Sequence, residues 1–417
     1  MIAHSDRTGG RAATALGLVV ALTFAFTVVG SNIPGPLLPL YEERLGMSPF
    51  VLAALFATYF AALISMFLVM NRTRAGRHVH LVLPGSVLVG ILGDVALWLG
   101  SDFSPLLFLG RALTGICVGA ATGSAATLAV TARGEAGRTL AATGAIGGSL
   151  IGLLSAAVVA EIFADPTVLI YRLHAAALLV CEVLLIVVLW WNRARIRVAT
   201  AVKPTVIDNG GGQPRGMAAP GRLAAYGLGA AGWTVGGIAV GVLPTTLRSS
   251  LQSDLLVAGV LGGIVLLVAA WIAPHVARAA HRTLSAPRSL VLLGSGGVVL
   301  VAGVLSGRLV LVLVGCLFWG IGQGFAYAKG LALLTRGSTP VQQGRATSLY
   351  ACVSYGFAAS MILLAGALSS GLGYVRGTAA MVLLFSVFCG AVLVFGRSYW
   401  RSASVATLPD VLAVESR

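Results

Sequence analysis

Twelve apolar runs, each about twenty residues long and each closed by a short polar stretch, dictate most of what this chain can become. A helix crosses the ~30 Å hydrocarbon layer of a bilayer in about 20 residues. The runs fall at 13–37, 48–70, 81–100, 104–130, 139–162, 167–191, 222–244, 254–274, 289–306, 309–334, 345–370 and 374–396. Of 417 residues, 58% are hydrophobic and 10% charged. Soluble domains carry roughly 25% charged residues, so lipid must cover much of this surface. Lipid leaves backbone groups no water to bond, and helices satisfy them internally. The chain is therefore expected to be an all-α integral membrane protein. The first run is too long for the ~7–15-residue apolar core of a signal peptide and is expected to remain as the first helix.

One connection differs from the others. Residues 192–221 hold Arg193, Arg195, Arg197, Lys203, Pro204, the run Asn209 to Gly212, Pro214 and Pro220. Glycine, proline and charge together read as a flexible linker. It divides the chain into a six-helix bundle at 1–191 and a second at 222–417 with a short tail. The net charge of +15 does not indicate nucleic acid, because the basic residues are scattered between apolar runs. Twenty-one of the 28 fall on the side of the termini and the linker, and five on the other, with Arg111 and Lys329 inside runs. The positive-inside rule then places both termini in the cytoplasm and favours an even number of crossings. Lys203 and Lys329 are the sole lysines. That bias, with 54 glycines, suggests a GC-rich genome and a bacterial inner membrane.

The two halves echo one another. Leu38-Pro39 precedes Leu243-Pro244 by 205 residues; Ser48 and Ser253, Gly115 and Gly320, and Gly119 and Gly324 keep that offset, and Gly137-Arg138 precedes Gly344-Arg345 by 207. A constant offset over several helices indicates a duplicated unit, and matched bundles can rock about a central site. Cys117, Cys181, Cys316, Cys352 and Cys389 lie inside apolar runs at no zinc-binding spacing, as buried thiols would.

Over nearly its whole length the chain resembles the major facilitator superfamily, most closely the drug/proton antiporter type. The loop after helix 2 carries Arg74, Gly76 and Arg77 of the family's cytoplasmic gate motif, with Val69 and Thr73 at its glycine and aspartate positions. Helix 4 carries the Arg-x-x-x-Gly pattern at Arg111 and Gly115. Helix 5 carries Gly144, Gly148 and Gly152 of the antiporter signature, with Ser149 in place of its proline. Glycines four apart also allow close helix packing alone. Pro34, Pro36 and Pro39 resemble the proline-rich end of helix 1 in twelve-helix exporters.

The resemblance implies two pseudo-symmetric six-helix bundles and a cavity lined by helices 1, 4, 7 and 10. These offer Asn32, Arg111, Trp233, Trp319, Gln323, Tyr327 and Lys329. Asn32 either touches substrate or caps a broken helix; Lys329 either faces the cavity or snorkels toward headgroups. Proton-coupling candidates are Asp94, expected to pair with Arg111 at similar depth, and Glu182. Arg172 and His174 are expected at the outer interface. The expected activity is proton-coupled efflux of small hydrophobic or amphiphilic compounds, drugs or secondary metabolites, by alternating access. The alternative is a proton-coupled importer of a metabolite such as a sugar or organic acid, and a third is a non-transporting receptor. No phosphate-binding loop, His-Glu-x-x-His motif or reactive constellation is visible. Enzyme activity, metal, cofactor and nucleic acid are therefore not expected. The partners would be substrate, protons and lipid, with the chain a monomer.

Overall fold

The computed structural model describes residues 2–73, 78–193, 196, 219–252, 255–336, 340–397 and 400. Among the described residues, the twelve runs appear as twelve helices long and apolar enough to span a membrane. They are α1 Ala12–Leu45, α2 Pro49–Arg72, α3 Val79–Leu99, α4 Ser104–Gly134, α5 Ala136–Ile162, α6 Pro166–Trp191, α7 Gly221–Gly241, α8 Leu256–Ala279, α9 Ala286–Ser306, α10 Leu309–Thr335, α11 Ala346–Leu372 and α12 Tyr374–Phe395. Local chemistry sets their starts. The Ser48 hydroxyl accepts from the Val51 amide at 3.4 Å and Pro49 occupies the first turn; Ser285 and Pro287 do the same for α9. A proline at that point gives up a donor that has no helical partner anyway.

The expected loop between α4 and α5 is reduced to one residue. Gly134, at φ 58° and ψ −137°, turns the chain and helix resumes at once. A side chain would be strained there. The proline-rich end of α1 behaves as anticipated: the helix breaks at Ile33 and resumes over Pro34–Leu45. Its counterpart α7 breaks at Val242 and resumes over Leu243–Leu251.

The internal repeat is visible in packing. A Cβ on Gly115 of α4 would strike the Tyr59 carbonyl of α2, and one on Gly320 of α10 would strike the Leu266 carbonyl of α8. Gly119 likewise meets Leu63 and Met66, and Gly324 meets Ala270 and Pro274. Each half thus seats its fourth helix on its second through the same two glycines. The bundles meet mainly through α2 against α11 and α5 against α8, where Leu153 reaches Gly263. Large apolar side chains stay exposed on the outer helices, among them Val180 and Val183 on α6 and Leu384 and Val387 on α12. Such faces suit lipid. Four cysteines are buried as expected, while Cys352 is half-buried.

Candidate functional site

Two polar groups lie inside the protein. In the first bundle, Asp94 of α3 and His174 of α6 share a 2.7 Å contact between Oδ2 and Nδ1, with both side chains at most 4% exposed. The other ring nitrogen of His174 is 2.8 Å from the Phe26 carbonyl of α1. Gly30 makes room for the imidazole, since a Cβ there would fall 2.6 Å from its Cε1. The expected partnership of Asp94 with Arg111 is not found. Gly93 is the residue that faces α4, against Gly110, Leu113 and Thr114. The next residue on a helix points about 100° away, which turns Asp94 toward α6. His174 is accordingly buried in the bundle rather than interfacial. Arg172 does lie near the surface, stacked over Trp98 at 4.1 Å.

Arg111 is fully buried and makes no carboxylate ion pair among the described residues. It donates to the carbonyls of Ser31 at 3.1 Å and Phe56 at 3.4 Å, and lies 5.0 and 4.9 Å from the Phe56 and Tyr59 rings. Its Nε finds no partner. Prolines 34 and 36 remove the donors that would bond the Gly30 and Asn32 carbonyls. Arg111 thus donates at the break in α1, and ring faces stabilise its charge. Asn32, half-buried beside it, bonds the Val28 carbonyl at 3.2 Å and the Ser31 hydroxyl at 2.9 Å, a capping geometry. Tyr41 and Tyr171 bond through their hydroxyls at 3.0 Å nearby. Glu182 lies two turns beyond His174 on the same face of α6, 4% exposed, its Oε2 without a hydrogen-bond partner.

The second group crosses between the bundles. Tyr355 of α11 packs on Phe60 at 5.6 Å and Phe67 at 6.1 Å from α2, and on Trp233 of α7 at 4.4 Å. Trp233 meets Tyr327 of α10 edge-on at 5.7 Å, and Tyr327 meets Tyr350 at 4.9 Å. Gln323 reaches toward Gly236 of α7, its Oε1 unpartnered. The structure therefore brings Trp233, Gln323 and Tyr327 together along α7 and α10. Tyr355 and Phe60, which sequence reasoning passed over, complete an aromatic seam.

Two expected cavity residues lie elsewhere. Trp319 is fully buried within the second bundle, its Nε1 donating to the Leu293 carbonyl at 2.9 Å and its ring against Phe385. It faces α9 because the opposing Gly296 leaves space for the indole. Lys329 lies seven residues after Gly322, whose face packs on Leu293 and Ser289 of α9. A seven-residue step returns to the same helix face about 10 Å further on, so half-buried Lys329 continues the face of α10 that Gly322 turns toward α9. The glycine motif of α5 packs Gly144, Gly148 and Gly152 on the carbonyls of Ala21, Ala25 and Val29 in α1, one turn apart each time. Arg74, Gly76 and Arg77 lie outside the described residues.

The seam is closed at the end opposite the linker. A Cβ on Gly35 would lie 2.6 Å from the Val240 carbonyl across the bundles, and Arg248 pairs with Glu43 at 2.7 Å. Contacts of α1 with the second half concentrate in Pro34–Leu45.

No family model and no curated protein matches the chain. Solved structures do. A bacterial homologue of the human lysosomal transporter Spinster, inward-facing and unoccupied, aligns at a TM-score of 0.66 and 12% identity, covering 92% of this chain and 96% of that one. A mutant of the nucleoside transporter NupG gives 0.66 and 12%, with 92% and 99% covered. The POT family transporter PepTSo gives 0.68 and 11%, with 94% and 98% covered. At such identities the likeness speaks to architecture, and it covers both bundles and nearly all of each chain: this protein has the major facilitator fold.

Proposed function

We propose that the chain is a secondary transporter that moves small hydrophobic or amphiphilic compounds by alternating access, coupled to protons. The observation that carries this reading is the seam: two matched bundles in aromatic contact, closed at one face by a glycine–carbonyl crossing and an ion pair. A partly exposed ion pair contributes about 0.5 kcal/mol, so this closure can reopen. The structural neighbours, a nucleoside transporter, a POT family transporter and a bacterial homologue of a lysosomal transporter, agree with the same class of activity.

The proton enters the proposal through Asp94 and His174. A carboxyl and an imidazole sharing one hydrogen bond can gain or lose a proton, and His174 ties that event to α1 through Phe26. Because α1 carries Gly35 at the closed crossing, the pair's protonation would bias closure as a bound ligand does. Aromatic rings and an amide at the seam, with the carboxylates Asp94 and Glu182 inside the first bundle, support an apolar substrate. Export is our reading of direction.

Everted vesicles from an overexpressing, pump-deficient bacterial host test it. Energised to a proton-rich lumen, so that protons leave as compound enters, they should accumulate a lipophilic fluorescent compound several-fold over vesicles with Asp94→Asn. Gradient-dependent loss of the compound would instead mean uptake coupled to protons. No gradient-dependent flux of any compound from a broad panel would discard transport.

A further inference from the structure

A groove lies on the outer side of the second bundle, away from the seam. Val268, Ile272 and Val276 of α8 and Leu317, Ile321 and Phe325 of α10 line a groove of about 1030 Å³. It runs from Ile264 to Ala280, which is about 24 Å of helix at 1.5 Å per residue. One leaflet of a bilayer is about 15 Å of hydrocarbon, so an extended acyl chain fits. The groove opens outward: Gly320 and Gly324 point at α8 and Gly330 at α7, leaving Leu317, Ile321 and Phe325 on the remaining face of α10. Ile272, Val276 and Leu317 are 43%, 59% and 41% exposed.

The end of the groove is basic. Arg282, in the α8–α9 connection, and Arg288, in the first turn of α9, both line it and both are exposed. Neither makes an ion pair among the described residues. The amides of the α9 N-terminus add positive potential. No aspartate or glutamate occurs between Asp254 and Asp410. Five consecutive helices and their connections thus supply no counter-charge of their own. A wide apolar channel that ends in two exposed guanidiniums near the end of the membrane-spanning helices is complementary to one class of molecule.

We infer that this groove binds an anionic phospholipid, with an acyl chain along α8 and α10 and the phosphate between Arg282 and Arg288. Arginine recognises phosphate bidentately, and basic pockets between membrane helices take acidic headgroups.

The test is native mass spectrometry of the full chain released from detergent, with phosphatidylglycerol and phosphatidylcholine of identical chains. The wild-type protein should retain phosphatidylglycerol preferentially. Arg282→Gln with Arg288→Gln should cut that retention on the order of tenfold, given the contribution of each basic residue near a membrane surface, and leave phosphatidylcholine unchanged. Each single variant should lose part of the preference. Ala273→Trp, which fills the groove and keeps both arginines, should lower retention of both lipids. Millimolar inorganic phosphate should not displace the lipid. Equal retention by the double variant, indifference to Ala273→Trp, or displacement by phosphate alone would each overturn the assignment. Because the readout is lipid retention, it stands apart from any result on transport.

Discussion

A carboxyl and an imidazole joined by one hydrogen bond can exchange a proton with little rearrangement, whereas a guanidinium keeps its charge at any physiological pH. The first bundle holds one of each arrangement. In the proposed function Asp94 and His174 would form the exchangeable pair, and Arg111, donating to Ser31 and Phe56, the fixed charge. Asp94→Asn should leave substrate binding intact while abolishing the dependence of flux on a proton gradient, measured in proteoliposomes with and without an imposed pH step. Lys329→Ala should change transport by less than about twofold, because its face of α10 is turned to α9; a selective loss for anionic substrates would return it to the cavity. The depth of Asp94 was legible from its distance to the helix end, whereas the burial of His174, expected at the outer interface, was not, nor was the facing of either residue. One step along α3 separates Gly93, which meets α4, from Asp94, which meets α6, and a hydrophobic membrane helix offers no polar stripe from which to read that rotation.

At the level of helices, the glycines decide how close backbones come. Gly144, Gly148 and Gly152 place α5 on the carbonyls of α1, and Gly147, one residue off that line, has nothing within 4 Å of its missing Cβ. Gly148→Val should destabilise the protein by about 2 kcal/mol, the usual size for overpacking, seen as lower melting of the purified protein in detergent. Gly147→Ala should leave melting unchanged. The spacing of this motif was readable in the sequence because four residues make nearly one turn. What it packs against was not, since nothing in an Ala- and Val-rich helix singles out Ala25. The α4–α5 joint was misjudged for a related reason. Arg133 and Arg138 look like a loop, but one glycine with an unusual backbone conformation suffices to turn the chain.

The whole molecule divides its inter-bundle contacts by position. At the end opposite the linker, Gly35 against Val240 and Glu43 with Arg248 hold α1 to α7. Glu43→Ala should shift the balance toward opening at that end only about twofold, the weight of one exposed ion pair. Gly35→Val should prevent closure altogether. Thiol labelling of Thr245→Cys, buried at the crossing, would read both. The contact of α2 with α11 is of another kind. It runs from the Phe50 amide on the Ser370 hydroxyl at 3.2 Å, through Phe60 and Phe67 on Tyr355, to the Ser348 hydroxyl on Asn71 at 3.2 Å. Two bodies fastened along an entire edge cannot part like the halves of a shell. In the proposed cycle the bundles would rock about a pivot midway along that edge, with Tyr355 near it, where displacement is smallest. A short tether between Asn71→Cys and Ser348→Cys, at the rim, should therefore arrest turnover, and reducing the tether should restore it.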